Sequence, residues 1–326
     1  MVGEHEPRRG PRGVPLAGRL LLLSVLCVLP DACARRAELS RSAPDVLLIT
    51  IDTLRADHLS SYGYGRRTSP NLDRLAAEGA LFEVAYAAAP ATTPSHATLL
   101  TSRYPLGHGV LRNGVALGTN VPTLPELLAA AGYQTAAFVS SYPVSREFGL
   151  ARGFEHFDDR LEDPGLHPPV RSADGEHDFA RLGEHTVDAA LGWLATTSRD
   201  APLLVWVHLF DPHAPYAAPA PFDASFGGDG ASLQQRRIDA YDGEILYADA
   251  EVGRLVRGFG RGGGARGLLT VVTADHGEAF GERGWQGHNR SVFEEEVRIP
   301  LIFHWPEVIG PGQRISAPVH LIDVLP

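Results

Sequence analysis

The run DVLLITID, Asp45 to Asp52, is short, continuously apolar and closed by an acid. A strand covered on both faces has this pattern, because it has no wet side to alternate with. The run therefore predicts a buried parallel strand with Asp52 at its carboxyl end. Similar runs recur at YQTAAFVSS from Tyr133, PLLVWVHLF from Pro202, GLLTVVTAD from Gly267 and IPLIFHW from Ile299. Helical patterns lie between them. SPNLDRLAAEG has Ser69 as cap and Pro70 in the first turn, and TLPELLAAAG has a Thr123/Glu126 capping box and Gly132 as its stop. Two more run near Glu184 to Ala195 and from Arg236 to Phe259. Strand and helix alternate, so the predicted class is α/β: a three-layer α/β/α sandwich around a mostly parallel central sheet.

The 326 residues, 44% of them hydrophobic, are enough for a sizeable core. A net charge of -10 leaves no basic footprint for nucleic acid. The N-terminus places Arg8, Arg9, Arg12 and Arg19 before the apolar run Leu20 to Leu29, followed by DACARR. That is the order of an export signal, and the run is too short to span a bilayer. The expected layout is a signal over 1–34, a linker over 35–43 and one domain over 44–326, with cleavage after Ala34 or lipid attachment at Cys33. The destination is periplasmic or extracellular, with the membrane reached only through such an N-terminal anchor. Cys27 and Cys33 both fall in the signal, so no disulfide is expected in the domain. Two long loops interrupt the rhythm, Asp163 to Asp178 and the Pro/Gly/Ala stretch from Asp211; loops of that length are functional or disordered. The chain stops on the apolar segment HLIDVLP, which predicts that a C-terminal portion is missing.

Ligands of open parallel sheets bind beyond the carboxyl ends of the strands. Asp52 stands at one such end, Asp275 and His276 at another, and His208, Asp211 and His213 at a third. Two carboxylates and an imidazole on one edge suit a divalent cation with oxygen and nitrogen ligands. Nearby, PATTPSHATLLTSRYP starts a helix with three hydroxyls. Pro94 suits a first turn, making Thr93 the expected N-cap and Ser95 a first-turn residue. The acidic run Glu294 to Glu296 reads as a solvated face or as a second layer orienting the site.

Together, DVLLITIDTLRADHLSSYGY, SPNLDRLAAEGALFEVAYA, TTPSHATLLTSRYPLGHGV, LPELLAAAGYQTAAF, HLFDPHAPY, YDGEILYADAEVGRLV, TADHGEAFGERG and GHNRSVFEEEVRIPLIF resemble the sulfatase family of the alkaline-phosphatase superfamily. They occur in family order from Pro44 to the end. The resemblance implies Asp52, Asp275 and His276 as metal ligands, with Thr92 at the nucleophile position and beside the ion. His96 stands where the family has Arg. His213 matches a histidine that contacts the transferring group, and His288 lies near a basic residue serving the leaving oxygen. Arg103, Asn113 and His208 are further candidates for substrate contact. The ion implied is Ca²⁺, with Mn²⁺ or Zn²⁺ compatible with a Thr nucleophile.

Three departures bear on mechanism. The family's Cys or Ser is Thr92, its Arg is His96, and its paired acids at the first strand are Asp52-Thr53. Threonine cannot become formylglycine, so a reaction at Thr92 would pass through an ordinary ester. The expectation is a hydrolase of sulfate or phosphate esters on a small molecule, glycan or lipid. A catalytically silent binding domain and a transferase passing a phosphoryl-linked group to a lipid or glycan are the alternatives.

Overall fold

The computed structural model describes residues 43–161, 180–228, 230–261 and 266–324. The expected signal and the stretch from Asp163 to Asp178 lie outside them. In chain order the elements that build the fold are β1 (Asp45–Ile51), α1 (Pro70–Glu78), β2 (Ala80–Tyr86), α2 (Thr92–Thr101), α3 (Pro105–His108), α4 (Leu124–Ala130), β3 (Gln134–Val139) and β4 (His156–Asp158). There follow α5 (Gly183–Thr196), β5 (Leu203–Leu209), α6 (Leu233–Arg261), β6 (Leu268–Ala274), β7 (Ala279–Phe280), β8 (Gln286–Gly287), α7 (Glu294–Val297), β9 (Arg298–His304), β10 (Gln313–Ile315) and β11 (Val319–His320).

The main sheet runs β10-β2-β9-β6-β1-β5-β3-β4, with β11 also on β2. β6, β1, β5, β3 and β4 are mutually parallel, and β9 runs against both β6 and β2. The sheet is thus mostly parallel, but the strand at Ile299, expected parallel, is reversed. After β6 the chain stays at the carboxyl edge, makes the β7/β8 hairpin and enters β9 from there, so it can only run back. β2 is an added strand: ALFEVAY is only partly buried and has no continuous apolar run to betray it.

Every residue of β5 is buried, and Leu47, Ile49 and Ile51 of β1 and Trp206 of β5 are fully enclosed. Burial on both sides needs two layers of cover. The helices supply them in two groups: α1 and α5 pack on α6, and α3 and α4 pack on α2. The Thr123/Glu126 capping box forms as expected. Ser69 is the N-cap of α1, but the cap acceptor is Asp249, which takes the N–H groups of Asn71 and Leu72 at 2.8–3.0 Å.

Candidate active site

Register puts the acids together. Ile51 lies level with Ala274 across the parallel pair β1/β6, so the next residues, Asp52 and Asp275, leave the sheet side by side. Thr53 then turns left-handed, at φ 55, and directs its N–H to Oδ1 of Asp275 at 3.2 Å. A β-branched residue pays for that backbone, and such strain persists only where its surroundings over-determine it. Here Tyr241 does so, donating its hydroxyl to the Thr53 carbonyl at 2.7 Å and accepting the Arg55 N–H at 2.9 Å. Gly277 is required by close approach: a Cβ there would sit 2.3 Å from the Glu295 carbonyl oxygen.

Asp52, Asp275 and His276 each offer one ligand atom, all within 4.8 Å of one another, and all three are buried. Nδ1–H of His276 donates to the Gly277 carbonyl at 2.9 Å, which leaves the Nε2 lone pair facing the cluster. Nε2 lies 3.7 Å from Asp52 Oδ1, 3.5 Å from Asp275 Oδ2 and 3.3 Å from Thr92 Oγ1. Both oxygens of Asp52 and Oδ2 of Asp275 are buried with no hydrogen-bond partner among the described residues. Burial raises the Asp52 carboxyl well above its usual range, and the charges of Asp275 and Glu278 raise it further; burial also raises Asp275. Orphaned oxygens, mutual repulsion and an imidazole lone pair on one point are the donor set a divalent cation needs.

Thr92 is the first residue of α2, not a residue outside it. The N-cap is Ala91, so Thr93 is not the cap; its hydroxyl donates to the Pro143 carbonyl at 2.8 Å, and that of Ser95 to Ala89 at 2.7 Å. The free Thr93 N–H is taken by Oδ1 of Asn113 at 2.8 Å, so a side chain from a distant loop replaces the local cap. Asn113 thus lies beside the nucleophile position. Arg103 is not brought there: it is exposed past the C-terminal end of α2, roughly 15 Å along the axis from Thr92.

His96 and His208 are also displaced from the expected roles, since neither has surface with which to touch a substrate. Burial lowers both pKa values, so both are neutral and one chain of bonds follows. His96 Nδ1–H donates to the Thr92 carbonyl at 2.8 Å, and its Nε2 accepts the Thr50 hydroxyl at 3.0 Å. Thr50 Oγ1 in turn accepts from Trp206 Nε1–H at 2.9 Å and from His208 Nδ1–H at 3.1 Å. His208 Nε2 then accepts from Ser141 at 3.0 Å and lies 3.6 Å from Asp52. Both histidines brace the floor from behind.

His213 and His288 do face the site, with rings 5.0 Å apart, and the His288 ring is 4.4 Å from that of His276. Nδ1–H of His213 donates to the Ala214 carbonyl at 2.6 Å, and burial pushes its pKa down to about 3. His288 is drawn the other way: burial opposes its charge, but the Glu278 carboxylate, 3.3 Å from its Nδ1, raises its pKa. Glu278, 2% exposed, is the residue that the reading of the sequence missed; its only signal there was an acid two positions after His276. In the Glu294–Glu296 run only Glu294 is on a solvated face. Glu295 and Glu296 are buried; Glu295 takes Arg283, and Glu296 accepts from Trp285, Ser291 and the Arg290 N–H, fixing the loop that carries His288.

The sulfatase family model matches residues 44–326. An N-acetylglucosamine-6-O-sulfatase of Bacteroides thetaiotaomicron is 23% identical over 94% of this chain and 71% of its own length. An ulvan-active sulfatase of Formosa agariphila is 25% identical over 87% of this chain and 60% of its own. Arylsulfatase A of Homo sapiens is 28% identical over 86% and 63% respectively. The chain thus spans about 60–71% of the length of these relatives. Among solved structures, a phosphonate monoester hydrolase of Agrobacterium radiobacter shares the fold with a TM-score of 0.69 at 20% identity, covering 87% of this chain and 72% of that one.

Proposed function

The chain belongs to the sulfatase family, and on that premise we propose that it is an exported, cation-dependent ester hydrolase whose nucleophile is the Thr92 hydroxyl. The observation that carries this is the 3.3 Å separation of Thr92 Oγ1 from His276 Nε2, over carboxylates left without partners. It favours chemistry over a silent binding domain.

Asp52, Asp275 and His276 would hold the ion, with Thr92 adjoining it; Ca²⁺ is the family's choice, and Mn²⁺ or Zn²⁺ also suit these donors. When bound, the cation would lower the hydroxyl pKa and offset the negative charge of the ester group. Thr92 gives its hydroxyl proton to solvent, its Oγ attacks sulfur or phosphorus, and the bond to the substrate's alcohol oxygen breaks opposite it. His288, held at Nδ1 by Glu278, is placed to give that oxygen a proton from Nε2. His213 contacts the transferring group. Water then attacks the Thr92 ester, giving one proton to His288, while the Thr92 Oγ leaves and takes back from solvent the proton it lost, releasing free sulfate or phosphate. A formylglycine hydrate would expel its ester through a second hydroxyl on the same carbon; Thr92 has none, so water must attack the acid centre.

The names of the relatives support a sulfated glycan as substrate; the threonine equally suits a phosphate ester or diester. Rates on 4-nitrophenyl sulfate, 4-nitrophenyl phosphate and bis(4-nitrophenyl) phosphate, each with Ca²⁺, Mn²⁺ and Zn²⁺, decide between sulfur and phosphorus. Turnover of at least one ester should depend on the ion and fall about 10³-fold or more in Thr92→Ala. Undiminished turnover in that variant would remove the threonine nucleophile, and no turnover with any ion would leave a binding domain.

A further inference from the structure

The hairpin of β7 and β8 is two residues long on each side, paired at Ala279/Gly287 and Phe280/Gln286. A ribbon of that size has no stability of its own. Yet Glu278 precedes β7 and His288 follows β8, so the two meet at its open end, and with Phe280 and Gln286 they wall a cleft of about 440 Å³ that His213 also lines. The place of the proton donor therefore depends on what fixes the hairpin from outside.

Arg55, three residues after Asp52, is buried and reaches it. Its Nε and Nη2 donate to the two oxygens of Asp57 at 2.9 and 2.7 Å, and its Nη1 donates to the main-chain carbonyl of Glu278 at 2.9 Å and to Oε1 of Glu282. The other oxygen of Glu282 accepts the Phe280 N–H at 2.7 Å, which closes the turn onto the same guanidinium. The Arg55 stem runs against the chain just before Glu278, since a Cβ on Gly277 would lie 3.3 Å from Arg55 Cγ. At its own end Arg55 is equally fixed: its N–H donates to the Tyr241 hydroxyl that also holds Thr53.

Asp57 and Glu282 neutralise this cation from the surface, but a buried ion pair is poor evidence for stability, because apolar side chains of similar volume often do as well. What a guanidinium adds is direction: a planar fork addresses several acceptors at fixed angles. Here the fork joins the strand end that supplies Asp52 to the main chain of the acid that holds His288.

We propose that Arg55 is a positioning residue for proton transfer: it fixes the Glu278 main chain against the end of β1, and so sets where His288 stands relative to the leaving oxygen. This rests on the hydrolase reading and adds the side chain that keeps the ion-binding strand end and the proton donor in step.

The test is Arg55→Lys, which keeps the charge but offers one ammonium in place of three nitrogens, with two readouts on the purified protein in Mn²⁺. 4-Nitrophenolate leaves as an anion unaided, whereas phenolate gains from a proton as the bond breaks, so a misplaced His288 slows only the second. On the 4-nitrophenyl and phenyl esters of whichever acid wild type turns over, kcat should fall at least about 10-fold for phenyl and stay within about 2-fold for 4-nitrophenyl, with KM little changed for either. Hydrogen exchange followed by mass spectrometry needs no turnover: amides of residues 277–290 should exchange faster in the variant, while those of β5 stay protected as in wild type. Should Arg55→Lys not fold, Glu282→Ala removes one anchor of the same guanidinium from an exposed position and should show both effects at smaller size. The proposal is overturned by equal falls on the two esters or by unchanged exchange over 277–290. A wild type that turns over neither ester ends the hydrolase reading alone, and the exchange result then decides whether Arg55 holds the pair.

Discussion

Nδ1 of His96 lies 2.8 Å from the carbonyl oxygen of Thr92, one turn earlier on the same helix, and its Nε2 lies 3.0 Å from Thr50 of the first strand. The imidazole ties the first turn of α2 to the sheet, and so fixes where the Thr92 hydroxyl points. His96→Ala should lower stability by about 2–4 kcal/mol, from the void and the two groups left unpaired. It should lower kcat far more than it raises KM. Restoring the family's arginine should do worse, because His96 is 0% exposed and the carboxylate in reach of a guanidinium there, Asp275 Oδ2 at 3.8 Å from Nδ1, is committed to the cluster. Urea melts of the two variants rank them, and His96→Arg as the more stable would refute a positioning role.

The unpartnered oxygens of Asp52 make a prediction whose sign depends on the ion. In chelator the buried carboxyl is held above its usual range by burial, Asp275 and Glu278. Asp52→Asn removes that conflict at constant shape, so it should melt higher than wild type in chelator. A divalent cation stabilises only what binds it, by about 2.7 kcal/mol at a hundred times its dissociation constant. Wild type should therefore overtake the variant as Ca²⁺ or Mn²⁺ is added. Thermal melts with and without ion show the crossing; a variant that melts lower in chelator would mean that Asp52 is satisfied without a cation.

What was legible in the sequence were features that depend on a strand and its end. Apolar runs gave β1, β3, β5 and β6, and parallel register carried Asp52 and Asp275 to one point. What was not legible depends on how loops return. Nothing local says that Asn113 caps α2, that Arg103 ends at its far end, or that Glu296 turns inward to hold the loop of His288. The histidines divide on the same ground. His208 lies in the interior of β5 level with Thr50, a place fixed by the whole sheet, whereas His213 lies beyond the strand in the open loop.

Glu278 and His288 allow a test by pH. His288 is largely withdrawn from solvent, which opposes its charge, and the nearby carboxylate reverses the balance and raises its pKa. Glu278→Gln keeps the shape and removes the charge. If His288 delivers the proton to the leaving oxygen, kcat falls as pH rises through its pKa, and the variant should lose activity at lower pH than wild type. The comparison of the two pH–kcat profiles settles it, and an unmoved alkaline limb would assign the proton to another group.

A second pair of acids should set the pH dependence of stability. Asp211, two residues before His213, accepts the Gly183 N–H at 2.9 Å, and Glu244 of α6 accepts the Ala217 N–H at 2.6 Å. Burial raises Asp211 to about 6; Glu244 is raised well above its usual range by burial and then by the charge of Asp211. A folded pKa above the unfolded one means that the native state holds the proton more tightly. The resulting stability is complete below about pH 4 and is lost as pH rises through 6, by roughly 2–3 kcal/mol for Asp211. Glu244→Gln leaves an acceptor for Ala217 and an amide that can keep the hydrogen bond by which Glu244 lowers the Asp211 pKa, so the slope should flatten by the share that Glu244 itself contributes. Asp249, also raised by burial to about 6, is untouched and should leave a residual slope. Thermal melts from pH 4 to 8 should thus show the variant gaining on wild type by a few degrees at the alkaline end. Parallel curves would mean that the Glu244 carboxyl is not raised in the folded protein.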